Sequence, residues 1–154
     1  MNLVDSNNPI LRQQAKKVEK FDKELLVLVD EMFNFLGGLE GVGLACVQVG
    51  IPKSLAVLEY NRIDKDEKDV QSIPKTVLIN PKIVWKSKDQ DIKIEACFSL
   101  PKVEVQVPRY KKIHLEYQDE TGKRHKIKAK GFYARAIQHE IDHLNGVLIC
   151  DYKK

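Results

Sequence analysis

The sequence lacks any hydrophobic run long enough to cross a membrane. Its longest uninterrupted apolar run, residues 25–29, has five residues, whereas a transmembrane helix needs about 20. The N-terminal sequence MNLVDS has neither the basic start nor the apolar stretch of a secretory signal. We therefore expect a soluble, cytoplasmic protein with no membrane partner.

Cysteine is also scarce. The three cysteines, Cys46, Cys97 and Cys150, are too few and odd in number for a disulfide framework. A reducing compartment fits this composition better, and there each thiol is free to be buried, catalytic or bound to a metal.

Neither sign of charge dominates, because 26 Lys and Arg face 22 Asp and Glu, for a net charge of +4. The lysines are scattered along the sequence, whereas a nucleic-acid-binding protein usually gathers its basic residues in one patch. We therefore predict a solvated surface without direct sequence-specific nucleic acid binding. The length of 154 residues and the 43% hydrophobic content predict a single globular domain over 1–154.

Hydrophobic periodicity predicts one helix near each end of the chain. The first spans 22–36, with Asp22 as its N-cap and Gly37-Gly38 as its end. The second spans about 132–145 and ends at Gly146.

Most of the remaining chain is typical of strands. Strands are predicted over 54–59, 76–79, 82–88, 103–107, 112–118 and 124–130. Asn80-Pro81 is predicted to be a turn, 119–123 a hairpin loop, and the polar segment 61–69 a surface excursion. Because the strands lie between the helices instead of alternating with them, we predict an α+β fold. Its largely antiparallel sheet would pack around the C-terminal helix, with an N-terminal helix beside it.

The C-terminal helix carries the sharpest chemical signal, the sequence QHEIDH at 138–143. His139 and His143 are four residues apart, so both imidazoles lie on one helix face and can reach one metal ion. Glu140 lies about 100° round the helix, where it could meet a water at the metal as general base. The competing interpretation is a surface helix that carries two histidines by chance.

A catalytic metal usually takes a third protein ligand. Downstream of His143 only Cys150 and Asp151 are available, so an upstream residue is favoured. A thiolate at Cys97, in the sequence EACFSLP, would complete a His2Cys site with one open position. Taken alone, Cys97 is more typical of a plain core cysteine. The missing downstream His or Glu ligand also disfavours a metallopeptidase.

A third segment, GVGLACVQ at 41–48, has glycines that would let the backbone approach a ligand, followed by the amide donor Gln48. It matches neither the dinucleotide-binding fingerprint nor the P-loop. Alone, it is weak evidence of a site, and a turn that packs against the sheet is the favoured interpretation.

Together the three segments resemble one family, the peptide deformylases. That family carries the motifs Gly-x-Gly-Leu-Ala-x-x-Gln, Glu-Gly-Cys-Leu-Ser and Gln-His-Glu-x-Asp-His, and this sequence has GVGLACVQ, EACFS and QHEIDH in the same order. Residues 8–12, 79–81 and 107–109 also look like the family, and the resemblance covers roughly residues 3 to 150.

The resemblance implies a set of site residues. Cys97, His139 and His143 would bind the metal, and Glu140 would be the catalytic base. Gln48 and the backbone amide of Phe98 would stabilise the oxyanion. The substrate-binding residues implied are Val42, Gly43, Ala96, Phe132 and Ala136.

The resemblance also implies the reaction and its partners. The enzyme would remove the formyl group from N-formylmethionyl nascent peptides and release formate. The metal would be Fe(II), replaceable by Zn, Ni or Co, and the ribosome is a candidate partner.

Two positions depart from the family pattern, because Ala96 replaces glycine and Phe98 replaces leucine. An added methyl at Ala96 would narrow the substrate cleft. The alternative function is therefore a catalytically weak homologue that binds nascent chains or the ribosome. The presence of all three candidate metal ligands and of Glu140 disfavours this alternative.

Overall fold

The computed structural model describes residues 1–61 and 70–153. The surface excursion predicted for 61–69 lies outside the described residues except for its first position. The described elements are α1 (Lys23–Leu39), β1 (Gly43–Ala45), β2 (Leu55–Tyr60), β3 (Ile73–Lys86), β4 (Gln90–Cys97), β5 (Leu100–Tyr110), β6 (Lys112–Gln118), β7 (Arg124–Lys130) and α2 (Gly131–Leu144). Short 3-10 helices span Pro9–Arg12, Cys46–Val49 and Ile149–Tyr152. No helix in the described ranges has the length and hydropathy needed to cross a membrane.

Five strands form one antiparallel sheet in the order β1-β2-β3-β6-β7, and β4 and β5 pair separately. The predicted α+β class with a largely antiparallel sheet is therefore confirmed. The β6–β7 hairpin has the predicted boundaries, because strict alternation and the loop 119–123 determine its register.

The two helices lie on opposite faces of the larger sheet. Strand residues alternate between faces, so Leu55 and Val57 pack with α1 whereas Leu58 packs with α2. On β6 and β7 the inward residues Ile113 and Ala129 also belong to the α2 side. The metal motif thus lies on a helix held against the middle of the sheet.

The predicted end of α1 is wrong. Asp22 caps the start by accepting a hydrogen bond from the Leu25 amide, but the helix continues through Gly37 and Gly38 to Leu39. Leu39 packs against the same core cluster as the preceding turns, which outweighs a cost of roughly 0.5–1 kcal/mol for each helical glycine. Glu40, with φ +56°, takes the left-handed position instead.

The turn predicted at Asn80-Pro81 is also wrong, because β3 runs continuously through it. Asn80 has φ +51° and marks a shift of register between Ile79 and Lys82. Its side chain accepts from the Val18 amide and donates to the Val18 carbonyl, both at 2.9 Å. Such a bulge bends a strand without ending it.

Candidate metal centre and substrate cleft

Three potential ligand atoms converge where the end of β4 meets α2. The Nε2 atoms of His139 and His143 lie 3.2 Å apart, and Cys97 Sγ lies 3.3 Å from His143 Nε2. All three donors lie within 4.8 Å of one another. The structure therefore brings Cys97 to the histidine pair, whereas Asp151 is engaged with Arg12 in an ion pair at 2.6 Å.

The spacing of these donors fits a divalent metal ion. Metal–nitrogen bonds of about 2.0–2.1 Å and a metal–sulfur bond of about 2.3 Å in tetrahedral geometry separate neighbouring donors by roughly 3.3–3.6 Å. Burial lowers the pKa of His139, but its hydrogen bonds with Cys97 and Glu95 outweigh burial and raise the pKa to about 10. The site thus favours a positive charge between these groups, and a divalent cation can supply it in place of a proton.

Glu95 orients the first histidine. His139 Nδ1 lies 2.8 Å from Glu95 Oε1, and an ionised carboxylate can only accept, so Nδ1 carries the proton. The Nε2 lone pair of His139 is then free for the metal, which is the usual arrangement of a carboxylate behind a ligating histidine. His143 Nδ1 is buried and has no hydrogen-bond partner among the described residues.

Two arginines hold Glu95 in its buried position. Arg109 donates to both carboxylate oxygens, at 2.9 and 2.8 Å, and Arg135 donates to Oε2 at 2.6 Å. Burial would raise the pKa of Glu95, but the hydrogen bonds from Arg109 and His139 outweigh it and hold the pKa well below its usual value. Arg109 also pairs with Asp142, between the two histidines on α2.

Sequence reasoning assigned no role to Glu95, Arg109 or Arg135. Charged residues in a sequence are usually solvated, so nothing in the composition marks these three as buried. Their spacing from the metal ligands could have indicated them. Glu95 lies two residues before Cys97 on one strand, and Arg135 lies one helical turn before His139.

Glu140 points its carboxylate into the same region. It is 4% exposed, and its Oε2 atom has no hydrogen-bond partner among the described residues. Burial raises the pKa of Glu140 to about 7. A carboxyl group with a pKa near neutrality can both take and return a proton.

The segment 41–48 forms β1 and a short 3-10 helix beside the ligands. The Gln48 Oε1 atom accepts from the Ala45 amide at 3.0 Å, which fixes the side chain. Its Nε2 atom donates to Ser99 Oγ at 3.0 Å and lies 3.7 Å from Cys97 Sγ. The amide donor of Gln48 therefore faces the candidate metal site.

A cleft of about 380 Å³ opens beside these groups. Every predicted site residue except the more deeply buried His143 lines it, including Val42, Gly43, Ala96, Phe98, Phe132 and Ala136. The Phe98 ring packs on Gly41, where an added Cβ would lie 1.9 Å from the ring. The bulkier residue at position 98 is thus accommodated by a glycine opposite.

Known proteins resemble this chain over nearly its whole length. A family model described as polypeptide deformylase matches residues 1–154. Peptide deformylase from Bartonella henselae is 39% identical over 150 residues, which are 97% of this chain and 82% of that protein. The Finegoldia magna peptide deformylase is 41% identical over 145 residues, covering 94% of this chain and 84% of that protein.

Solved structures agree with the fold described above. Peptide deformylase from Ehrlichia chaffeensis superimposes with a TM-score of 0.92 at 35% identity, covering 100% of this chain and 88% of that chain. The Thermotoga maritima enzyme gives a TM-score of 0.86 at 35% identity, covering 97% of this chain and 95% of that chain. With both the sequence and the fold matched along its length, this chain belongs to the polypeptide deformylase family.

Proposed function

We propose that this chain removes the formyl group from the N-terminal formylmethionine of newly made polypeptides in the cytoplasm and releases formate. One observation carries the proposal. The three donor atoms of Cys97, His139 and His143 converge at the cleft, beside the Glu140 Oε2 atom, which has no hydrogen-bond partner among the described residues. Residues 1–154 would act as one catalytic domain, with the ribosome, where such polypeptides emerge, as a partner.

The proposed cofactor is one divalent metal ion, Fe(II) natively, with Zn, Ni or Co as substitutes. A metal held by two imidazoles and a thiolate supplies Lewis-acid chemistry, which lowers the pKa of a water and polarises the formyl oxygen. The protonated Nδ1 of His139, held by Glu95, keeps the opposite nitrogen available as a ligand.

The proposed proton carrier is Glu140. Its carboxylate takes a proton as water adds to the formyl carbon, and returns it to the amine nitrogen as the carbon–nitrogen bond breaks. The products are formate and a free N-terminal amine. Gln48 Nε2 and the Phe98 amide would donate hydrogen bonds to the developing oxyanion.

The proposed peptide site is the apolar part of the cleft. Phe132 and Ala136 on α2, with Val42 opposite, would hold the methionine side chain. Gly43 and Ala96 would lie along the peptide backbone. A catalytically weak homologue is not favoured, because the donor atoms and Glu140 are all in place.

The test is formate release from formyl-Met-Ala-Ser by protein purified without oxygen and loaded with Fe(II). Stoichiometric formate with an intact Met-Ala bond is expected, and acetyl-Met-Ala-Ser should not react. Absence of formate from fully metal-loaded protein would contradict the proposal. Cleavage of the Met-Ala bond would instead indicate a metallopeptidase.

A further inference from the structure

One half of a face of the larger sheet is covered by neither helix. On β6 and β7 the residues that alternate with the buried ones point away from α2, on the face that α1 covers over β1, β2 and the first half of β3. We call this surface the basic face. Its basic side chains are Lys82, Lys112, Arg124, Lys126, Lys128 and Lys130, all exposed.

The basic face concentrates charge that is dispersed in the sequence. Antiparallel pairing sets Lys112 beside Lys130 and brings Lys82 and Lys126 to either side of Glu116. Six basic groups against one carboxylate leave an excess of five positive charges, whereas the whole chain has +4. Among the described residues only Lys126 of the six has an acidic partner, Glu116 at 3.1 Å.

Two of the three acidic residues in the flanking loops are already engaged. Asp89 lies 3.7 Å from Lys111, and Asp119 pairs with His125 at 2.6 Å. Neutralisation of the basic face by its surroundings is therefore small, and an anionic partner is electrostatically favoured.

An aromatic pair lies on β3 and β6, at one side of these cations. The rings of Trp85 and His114 have centroids 4.5 Å apart, and Trp85 is 47% exposed. Lys128 pairs with His114 on the next strand. Strands about 4.8 Å apart, with outward residues about 6.8 Å apart along each, thus form a grid of lysines beside an exposed indole.

We propose that the basic face binds single-stranded RNA. The lysines would contact phosphates, and an unpaired base would stack on Trp85, as bases do on aromatic side chains of sheet surfaces. Phosphate contacts and stacking carry little sequence information, so this agrees with the expectation of no sequence-specific binding.

An anionic membrane or an acidic protein fits the basic face less well. Membrane-surface binding uses an apolar face buried in the acyl boundary, and the basic face offers one aromatic pair within a polar grid. An acidic peptide would use the lysines but would leave the exposed indole without a function.

The basic face and the cleft are independent. Ile113, Leu115 and Ala129 point from the same strands toward α2, so the sheet separates the basic face from the candidate metal centre. A variant of the basic face should therefore leave hydrolysis of a short peptide unchanged, and RNA binding can be tested whether or not the chain is a deformylase.

The experiment uses the only tryptophan of the chain as its probe, because Trp85 lies on the basic face beside His114. The full chain is titrated with an oligouridylate of about twelve nucleotides, long enough for a typical single-strand site. Quenching of Trp85 fluorescence is expected, with a Kd of about 1–100 µM at physiological salt. Fluorescence anisotropy of labelled RNA gives the same Kd independently.

Two sets of variants separate the contribution of charge to RNA binding from the contribution of base stacking. Replacing Lys128 and Lys130 together with Gln should lower the slope of log Kd against log salt by about 1.4, at about 0.7 for each lost phosphate contact. Trp85→Ala should weaken binding at least about fivefold, and Trp85→Phe less. The matched control replaces Lys102 and Lys153 with Gln, which removes the same charge from exposed positions on β5 and after the last 3-10 helix, and should leave Kd nearly unchanged.

Several outcomes would overturn the proposal. One is no binding at about 50 mM salt, where electrostatic binding is strongest. Others are equal weakening by the Lys102 and Lys153 control, or RNA binding that neither quenches Trp85 nor depends on it. Duplex RNA bound as tightly as the single strand would exclude base stacking. Phosphatidylglycerol vesicles bound more tightly than RNA would make the surface a membrane contact instead.

Discussion

The Glu140 carboxylate lies against the bare backbone of Gly43. A Cβ built on Gly43 would lie 2.4 Å from Glu140 Oε1 and 2.8 Å from its Cδ. The first strand of the sheet therefore reaches the candidate base only because residue 43 has no side chain. Glycine is required at position 43 because the Glu140 carboxylate of α2 occupies the space that a side chain there would need. Gly38 on α1, in contrast, faces open space.

Gly43→Ala should reduce activity more than stability. The new methyl meets the end of a flexible side chain, so Glu140 can rotate away at small cost to folding. Displacing a catalytic group by about 1 Å can cost about 100-fold, so kcat for formyl-Met-Ala-Ser should fall by roughly 10- to 100-fold. Gly38→Ala is the matched control and should leave kcat unchanged. Equal kcat in both variants would show that the contact with Gly43 does not position Glu140.

Glu140→Gln should keep the metal and lose nearly all turnover. The amide has almost the shape of the carboxylate but cannot accept the proton of the attacking water. General-base catalysis contributes about 100- to 10,000-fold, so kcat should fall within that range at unchanged metal content. Turnover within a few-fold of the parent would mean that another group is the base.

Cys97→Ala should abolish stoichiometric metal binding. Removing the thiolate leaves two imidazoles, one fewer protein ligand than catalytic sites usually have. Metal per chain, measured by mass spectrometry after dialysis, should fall from about one to well below it. Cys150→Ala is the control, because Cys150 lies by Arg12, on the side chain network of Asp151. Full occupancy in the Cys97 variant would exclude this ligand.

Local sequence patterns predicted the parts of the fold and the site that are encoded locally. The β6–β7 hairpin follows from strict alternation around one loop, and the histidine pair follows from helical spacing. The turn predicted at Asn80-Pro81 was wrong because an asparagine with a left-handed backbone is compatible with a bulge as well as with a turn. Only the pairing of β3 with β6 distinguishes the two.

Features that depend on distant residues could not be predicted in this way. In the sequence, Arg135 and Glu95 cannot be distinguished from solvated charged residues. Both are buried because α2 packs beside β4. Lys112 and Lys130 are 18 positions apart in sequence and become neighbours only through strand register. Lysines that are scattered in the sequence are therefore gathered in the fold.

Ala96→Gly should improve substrate binding without changing the chemistry. Ala96 is exposed and lines the cleft, so its methyl narrows the space for a peptide backbone. We expect a higher kcat/KM, mainly through a lower KM, because the methyl weakens the binding of the substrate and of the transition state equally. The measurement is steady-state kinetics on one formyl-Met peptide at matched metal content. Unchanged or lower kcat/KM would show that the methyl is accommodated without cost.

The Phe98 ring and Gly41 should behave as a coupled pair. A Cβ at Gly41 would lie 1.9 Å and 2.4 Å from two ring carbons of Phe98, so in Gly41→Ala the ring must move. Overpacking of this kind costs about 1–3 kcal/mol. Because the amide of Phe98 belongs to the proposed oxyanion site, a shifted residue 98 should also lower kcat.

Phe98→Leu should relieve the clash, since leucine lacks the ring atoms that approach Gly41. In the double variant we expect stability in urea and kcat to recover toward those of Phe98→Leu alone. The coupling free energy should lie within about 0.5–3 kcal/mol, the range for residues in direct contact. Additive losses in the double variant would mean that Gly41 is needed for its own backbone or for the substrate, and not to make room for Phe98. A loss of kcat without any loss of stability in Gly41→Ala, relieved by leucine, would place the effect on the orientation of the residue 98 amide.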